Sequence, residues 1–191
     1  MLKLGFIVEG DTERILLESD NFRSLLAELK LDYIPQVINV EGNGNLLPHN
    51  LKEHSQVLMD KGATRIVILT DLDKEACITK TKERIQPLEN HIVIISIKQI
   101  EAWFLADTEA MRILFSDDTF EEQYPESHLV PFDEISRIKL FKVGRGIGKS
   151  KIKLANILIK HTNFSIKRAA EHPNCGSSKY FIEKLKTLST L

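Results

Sequence analysis

The chain has little of what a disulfide-built, membrane-spanning or zinc-binding protein needs. Its 191 residues contain two cysteines, Cys77 and Cys175, which lie far apart and form no metal-spaced pair. No apolar run approaches the roughly 20 residues that cross a bilayer as a helix. The six histidines show no ligand spacing, so zinc is not expected, and the first 20 residues carry no secretory pattern. We therefore expect a cytoplasmic protein with reduced thiols and no membrane segment.

The net charge of −1 hides an asymmetry along the chain. Residues 134–191 contain 13 Lys or Arg and 3 acids, whereas residues 1–133 contain 13 Lys or Arg and 24 acids. A basic C-terminal part indicates contact with a polyanion such as nucleic acid. Lysine is also common on exposed helices, so a solvated helical surface is an equally open interpretation.

Strand and helix patterns alternate over the first hundred residues. Apolar runs predict strands, and apolar residues at helical spacing predict helices between them. Because the two alternate, we expect an α/β fold, with a Rossmann-like, mostly parallel four-stranded sheet covered on both faces. Pro35 predicts that the second strand lies at an edge of the sheet or that Pro35 lies at the strand's start. Asp11 or Thr12 is the predicted cap of the first helix. The predicted strands are 2–8, 33–40, 65–71 and 91–97, and the predicted helices are 11–30, 46–62 and 77–88.

The pattern changes after residue 97. Residues 98–115 are predicted to be helical, residues 116–134 are acidic and turn-rich, and the rest is helical and basic. We therefore divide the chain into an α/β core, residues 1–107, and a helical, basic C-terminal extension packed on it, residues 108–191. Trp103 and Phe104 are expected in the core.

Acidic residues follow the predicted strands. Glu9 follows the first strand, Asp71 and Asp73 finish or follow the third, and Glu101 lies beyond the fourth. Sites in open parallel sheets form outside the carboxyl ends of the strands, and two-residue spacing in an extended segment directs Asp71 and Asp73 to one side. Such crowded carboxylates repel one another unless a hard cation lies among them. The pattern predicts a Mg²⁺ or Mn²⁺ site at Glu9, Asp71 and Asp73, although each acid alone also fits a helix cap or a solvated loop.

Several segments resemble one known superfamily. They are "FIVEGDTE" (6–13), "VILTDLD" (67–73), "IKQIEAWFLAD" (97–107) and "HPNCGSSKYFIEKL" (172–185). A glutamate and glycine that end the first strand, followed by D-x-D at the end of a later strand, are similar to the Toprim superfamily of topoisomerases, bacterial-type primases, recombination proteins and OLD-family nucleases. The chain most resembles small stand-alone Toprim-like bacterial proteins, which are often associated with ATPase neighbours and with phage defence.

The resemblance implies a role for each acid. Glu9 would be a general acid or base, or a metal ligand, and Asp71 and Asp73 would hold Mg²⁺. Glu13 and Glu101 would serve a second metal position or orient other ligands. The activity implied is phosphodiester hydrolysis, in which metal ions polarise the phosphate and activate water. On this resemblance the protein is expected to be a magnesium-dependent nuclease acting on DNA or RNA.

A glycine- and lysine-rich segment follows in the basic part. "VGRGIGKSKIK" (143–153) lacks the first glycine of a phosphate-binding loop, because Val143 stands there, so nucleotide binding is not expected. Lys149, Lys151 and Lys153 are instead predicted to contact nucleic-acid phosphates. The alternative function is a non-catalytic Toprim-like module that binds or regulates a partner protein such as an ATPase.

Overall fold

Four parallel strands form the centre of the fold. The computed structural model describes residues 2–190, and its sheet has the strand order β2-β1-β3-β4. All three strand pairings are parallel. The predicted α/β class is confirmed, and Pro35 lies in an edge strand as predicted, because an edge strand tolerates a missing backbone donor. The strands are β1 (Lys3–Val8), β2 (Asp32–Asn39), β3 (Arg65–Asp71) and β4 (His91–Ser96).

Helices cover both faces of the sheet and connect its strands. Two segments that were predicted as continuous helices are each broken in two. Ser19 and Asp107 cause the breaks, because the side chain of each accepts a hydrogen bond from a backbone N–H three residues later and so begins a new helix. The predicted cap at Asp11 or Thr12 is wrong: Gly10 precedes the first helix and no side chain caps it. These helices are α1 (Asp11–Leu17), α2 (Asp20–Glu28), α3 (Pro48–Asp60), α4 (Ile78–Ile85), α5 (Glu101–Ala106) and α6 (Thr108–Phe115).

The remainder of the chain is helical, as predicted. A mostly irregular stretch with one short 3₁₀ turn, Pro125–Ser127, separates it from α6. None of the helices in residues 2–190 combines the length and the apolarity that a bilayer crossing requires. The C-terminal helices are α7 (Pro131–Val143), α8 (Lys151–His161), α9 (Ile166–Glu171) and α10 (Gly176–Leu188).

Side chains of β1 alternate between two apolar clusters, one on each face of the sheet. Phe6 belongs to the larger cluster, which the C-terminal helices share, whereas Ile7 belongs to the smaller cluster beneath α3 and α4. Trp103 and Phe104 are fully buried in the larger cluster, as predicted. Burying a large apolar side chain contributes about 1.5–3 kcal/mol, so the C-terminal helices are held to the sheet by a common core.

Candidate active site

The carboxyl ends of β1 and β3 meet the starts of α1, α5 and α8 in one open cleft of about 510 Å³. Carboxylates dominate its lining, and only one basic residue joins them. The cleft lies at the edge of the sheet where the acids of the sequence were expected. Its lining residues are Glu9, Gly10, Asp11, Thr12, Glu13, Asn39, Glu41, Gly42, Asp71, Glu101, Lys151 and Ile152.

Glu9 is held in place by β3. Its backbone N–H extends the strand pairing by donating to the Leu69 carbonyl, at 3.1 Å. One oxygen of its carboxylate accepts hydrogen bonds from the Thr70 hydroxyl, at 2.5 Å, and from the Asp71 backbone N–H, at 3.2 Å. The carboxylate is thus anchored across two strands and directed to the sheet edge, since hydrogen bonds to a charged group are among the stronger ones.

Glu13 lies in the first turn of α1 and is 4% exposed. Its carboxylate comes so close to Gly10 that a Cβ atom there would lie 3.1 Å from an oxygen of Glu13. The pKa of Glu13 is raised to about 7, chiefly by burial and further by the charges of Glu101 and Glu9. A carboxyl group with such a pKa can both accept and release a proton near neutral pH.

Asp71 ends β3 and is also buried. One of its oxygens accepts from the Ser96 hydroxyl, at 2.5 Å, and from the Ile100 backbone N–H, at 2.8 Å. Burial, followed by the charges of Glu13 and Glu101, raises the pKa of Asp71 well above its ordinary value. The two hydrogen bonds hold the side chain in position without offsetting the loss of water.

Glu101 opens α5 and is fully buried. One of its oxygens accepts from the ammonium group of Lys151, at 3.0 Å, and the other is buried without a hydrogen-bond partner in the described residues. Burial raises the pKa of Glu101, and Lys151 only partly opposes this effect. Burial also acts to lower the pKa of Lys151, but Glu101, Asp71 and Glu13 together raise it. A single ammonium thus faces several carboxyls.

The electrostatics of the cleft follow from this count of charges. Glu13, Asp71 and Glu101 are all buried, and each has a pKa raised by burial and by at least one neighbouring acid. Each raised pKa reflects the cost of holding close negative charges out of water. A second positive charge in the cleft would allow all of them to ionise.

Asp73 does not join the cleft. The predicted extended geometry does not continue to this residue, because β3 ends at Asp71 and Asp73 has left-handed backbone geometry with φ of +48°. Its carboxylate accepts from the side-chain amide of Gln99, at 3.0 Å, and it lines a neighbouring hollow with Asn43, Lys74 and Glu75. Asp73 still acts on the cleft through its charge, which contributes to the raised pKa of Glu101.

The three lysines predicted to contact phosphates occupy different surroundings. Lys151 enters the acidic cleft, whereas Lys149 and Lys153 are exposed outside its lining. Several other basic side chains of the C-terminal part pair with acids, mostly from earlier in the chain. The charge asymmetry is therefore partly neutralised within the protein. These pairs are Lys142–Asp117, Lys167–Glu28, Arg168–Asp107 and Arg137–Glu134.

The donor chemistry of the cleft fits a hard divalent cation. Carboxylate oxygens are the ligands that Mg²⁺ prefers, and one buried oxygen of Glu101 has no partner. Within residues 2–190, however, no three His, Cys, Asp or Glu side chains are arranged as a group ready to hold a metal ion. Lys151 already supplies the positive charge that Glu101 contacts. The residues thus fit the ion by chemistry, and its binding would need Glu101 or its neighbours to turn.

Sequence reasoning missed the place of Lys151 in the acidic cleft, and it missed the donors that hold the acids. Thr70 and Ser96 each lie at the end of a strand, where a hydroxyl at the sheet edge is the signal that could have identified them. Lys151 is 50 residues from Glu101, and no local pattern relates the two. Comparison with protein-family models, with curated proteins and with solved structures finds no match to this chain.

Proposed function

We propose that the protein is a magnesium-dependent phosphoryl-transfer enzyme, and most specifically a nuclease that hydrolyses phosphodiester bonds. The observation that carries the proposal is the convergence of three buried carboxyl groups, Glu13, Asp71 and Glu101, each with a raised pKa. Strongly perturbed acids in a cleft are typical of functional sites, because burying them without a ligand destabilises the fold.

The chain's own residues divide the work. Asp71 and Glu101, with Glu9, would hold the metal ion, which when bound would polarise the phosphate and activate a water molecule. Glu13, whose pKa is about 7, is the residue best suited to take up or return a proton at neutral pH. Lys151 carries a positive charge into the cleft and is suited to contact a phosphate oxygen once a metal ion replaces it beside Glu101.

The exposed lysines beyond the cleft support a nucleic-acid substrate. Lys149 and Lys153 flank Lys151 in sequence and have no ion-pair partner in residues 2–190. If both contact phosphates, changing them to Ala should weaken binding and reduce the salt slope of log affinity by roughly two, since each phosphate contact contributes about 0.9. Lys80→Ala is the control, because Lys80 lies on α4, away from these lysines, and pairs there with Glu83. An unchanged slope would contradict the role of these lysines.

The activity is tested by cleavage of labelled DNA and RNA with Mg²⁺ or Mn²⁺. Asp71→Asn and Glu101→Gln should remove cleavage, and Glu13→Gln should lower the rate about 10²–10⁴-fold, the usual contribution of general acid–base catalysis. Glu83→Gln, on the exposed surface of α4, is the matched carboxylate-to-amide control and should cleave normally.

Metal binding is measured separately from cleavage. Mg²⁺ or Mn²⁺ should raise the melting temperature of the wild type, because a ligand that binds only the folded state stabilises it. Asp71→Asn should abolish that rise, whereas Asp73→Asn should retain part of it, since Asp73 lies outside the cleft. A rise that survives Asp71→Asn would place the metal elsewhere, and wild-type protein that cleaves no substrate would contradict the nuclease proposal.

Two observations favour a second candidate function. The acids of the cleft are not arranged as a ready-made metal group in residues 2–190, and Lys151 already partners Glu101. This arrangement suits a non-catalytic module that acts through a partner protein such as an ATPase. The melting experiment separates the two, because such a module has no requirement for Mg²⁺.

A further inference from the structure

The free edge of the sheet at β4 opens into a groove. Two adjoining hollows of about 430 and 310 Å³ run along this edge, and Lys82, Val93 and Tyr180 line both of them. One wall comes from α4 and the other from α10. These helices cover opposite faces of the sheet, since Ile85 packs in the smaller apolar cluster and Phe181 in the larger one. The edge of β4 is therefore recessed between two helices.

The register of the strands shows which backbone groups face the groove. Ile66 donates its N–H to the Asn90 carbonyl and Leu72 donates to the Ser96 carbonyl, both at 2.9 Å. In a parallel ladder this pattern directs the backbone N–H and C=O groups of the even-numbered residues of β4 towards β3. Those of the odd-numbered residues point outwards. The N–H and C=O groups of Val93 and Ile95 thus point into the groove, and none has a hydrogen-bond partner in residues 2–190.

Ile97 is the next residue whose backbone N–H points outwards, and this N–H has the partner that Val93 and Ile95 lack. The N–H of Ile97 donates to the Ser177 hydroxyl, at 3.2 Å, so α10 closes the row at its carboxyl end. Val93 and Ile95 have no such side chain opposite them. Unpaired backbone donors and acceptors on an edge strand are a template for another strand, and the walls of the groove add apolar surface from Ile78, which is 40% exposed, and Tyr180, which is 39% exposed.

The charge of the groove selects among peptides. Its charged side chains are Lys82, Lys184 and Glu126. The carboxylate of Glu126 is engaged at the start of α10, where it accepts from the backbone N–H groups of Gly176 and Ser177, at 3.0 and 2.9 Å, and the two lysines outnumber it. Lys184 lies over the Tyr180 ring, 5.2 Å from its centroid, and forms no ion pair with any residue between 2 and 190. The groove is therefore complementary to an acidic segment.

We propose that this groove binds an extended, acidic segment of a partner protein, which adds a fifth strand beside β4. Peptides bound by strand addition gain affinity from backbone hydrogen bonds and specificity from alternate side chains. A second copy of this chain is a poor occupant, because its own β4 is recessed between the same two helices. The proposal does not depend on the nuclease activity, since no residue of the groove lines the acidic cleft.

The free protein provides the first measurement. In hydrogen exchange followed by NMR, the amides of Val93 and Ile95 should exchange at least tenfold faster than those of Ile92 and Ile94, which are paired with β3. Equal protection of all four amides would overturn the proposal, because it would mean that the outward groups are already satisfied.

The binding experiment uses a fluorescein-labelled peptide of four Val-Asp repeats. We expect saturable binding, loss of at least tenfold in affinity when one alternate set of its amides is N-methylated, and little loss when the other set is. Protection of the Val93 and Ile95 amides should rise on binding. A peptide with Lys in place of Asp should bind worse. Binding that ignores both N-methylation patterns would overturn strand addition, as would perturbations confined to other residues.

Charge-reversed variants connect the affinity to the groove. Changing Lys82 and Lys184 together to Glu should reduce affinity for the acidic peptide at least tenfold. The same change should strengthen binding of the Lys-containing peptide. Lys179→Glu is the matched control, because Lys179 is exposed on α10 outside both hollows. A dimer in sedimentation that Tyr180→Lys dissociates would overturn the proposal in favour of self-association.

Discussion

Two fully buried carboxylates, Glu101 and Asp107, lie six residues apart and are treated differently by the fold. Both carboxylate oxygens of Asp107 accept hydrogen bonds. One of its oxygens accepts from Ala110 N–H and Arg168 Nε, and the other accepts from Ser165 N–H and Arg168 Nη2. Glu101 has one partner, Lys151, and one oxygen without any.

The difference separates an acid with a complete set of partners from one without. Asp107 begins α6 and ties it to α9 through a bidentate pair with Arg168, an arrangement that is complete without a ligand. Glu101 shares its surroundings with Asp71 and Glu13, and the pKa of each of the three is raised. The unpartnered oxygen of Glu101 and the excess of acids over Lys151 distinguish this cleft from the surroundings of Asp107.

The largest effect is expected when the carboxylate of Asp107 is replaced. Asp107→Asn should lower the free energy of unfolding by about 3–5 kcal/mol, because it removes the charge of a fully buried partner and turns an amide NH₂ towards N–H donors that the carboxylate now accepts from. Urea unfolding at pH 7 measures this loss as a shift of the midpoint at constant slope. A loss below 1 kcal/mol would mean that this pair does not hold α6 and α9 together.

The next effect concerns pH. The pKa of Glu13 is raised from 4.5 to about 7 by folding, so the folded state prefers its protonated form. That contribution to stability is fully present below pH 4.5 and is lost as the pH rises through about 7; each pKa unit is worth about 1.4 kcal/mol, which gives about 3 kcal/mol. Urea unfolding with EDTA should show this fall between pH 4.5 and about 7, and Glu13→Gln should make it shallower. An identical pH profile for the variant would refute the assignment.

A smaller effect is expected at the unsatisfied carboxylate. In EDTA at pH 8, Glu101→Gln should lower the free energy of unfolding by less than about 1 kcal/mol, or even raise it. This contrasts with the large loss expected for Asp107→Asn. The amide removes a charge that repels Asp71 and Glu13, while Lys151 is 38% exposed in its side chain and can turn to water. A loss as large as that of Asp107→Asn would remove the distinction between the two acids.

The smallest effect is expected at a third acid. Glu109 lies 3.3 Å from Arg168, but its side chain is 69% exposed. Glu109→Gln should cost no more than about 1 kcal/mol, the usual range for exposed ion pairs, and its loss should shrink in high salt. This variant is also the control for Asp107→Asn, because both change a carboxylate beside the same guanidinium.

Local patterns in the sequence determined the sheet and the order of its acids. Apolar runs and helical spacing predicted all four strands and the alternation with helices, because burial on both faces of a parallel sheet requires such patterns. The positions of Glu9, Asp71 and Glu101 at the carboxyl ends of strands followed from the same reasoning, since parallel strands end at one edge. Residue types within the helices gave weaker information, and the breaks at Ser19 and Asp107 were missed.

Only the tertiary structure decided how those acids are used. Glu101 meets Lys151 from 50 residues away, and Asp107 meets Arg168 from 61 residues away. No local periodicity encodes either pair. Asp73 does not line the cleft with Asp71, because the backbone of Asp73 adopts left-handed geometry shortly after β3 ends. The raised pKa of Glu13 likewise depends on burial within the assembled fold, because desolvation arises from packing between distant segments, whereas strand and helix patterns arise from neighbours in sequence.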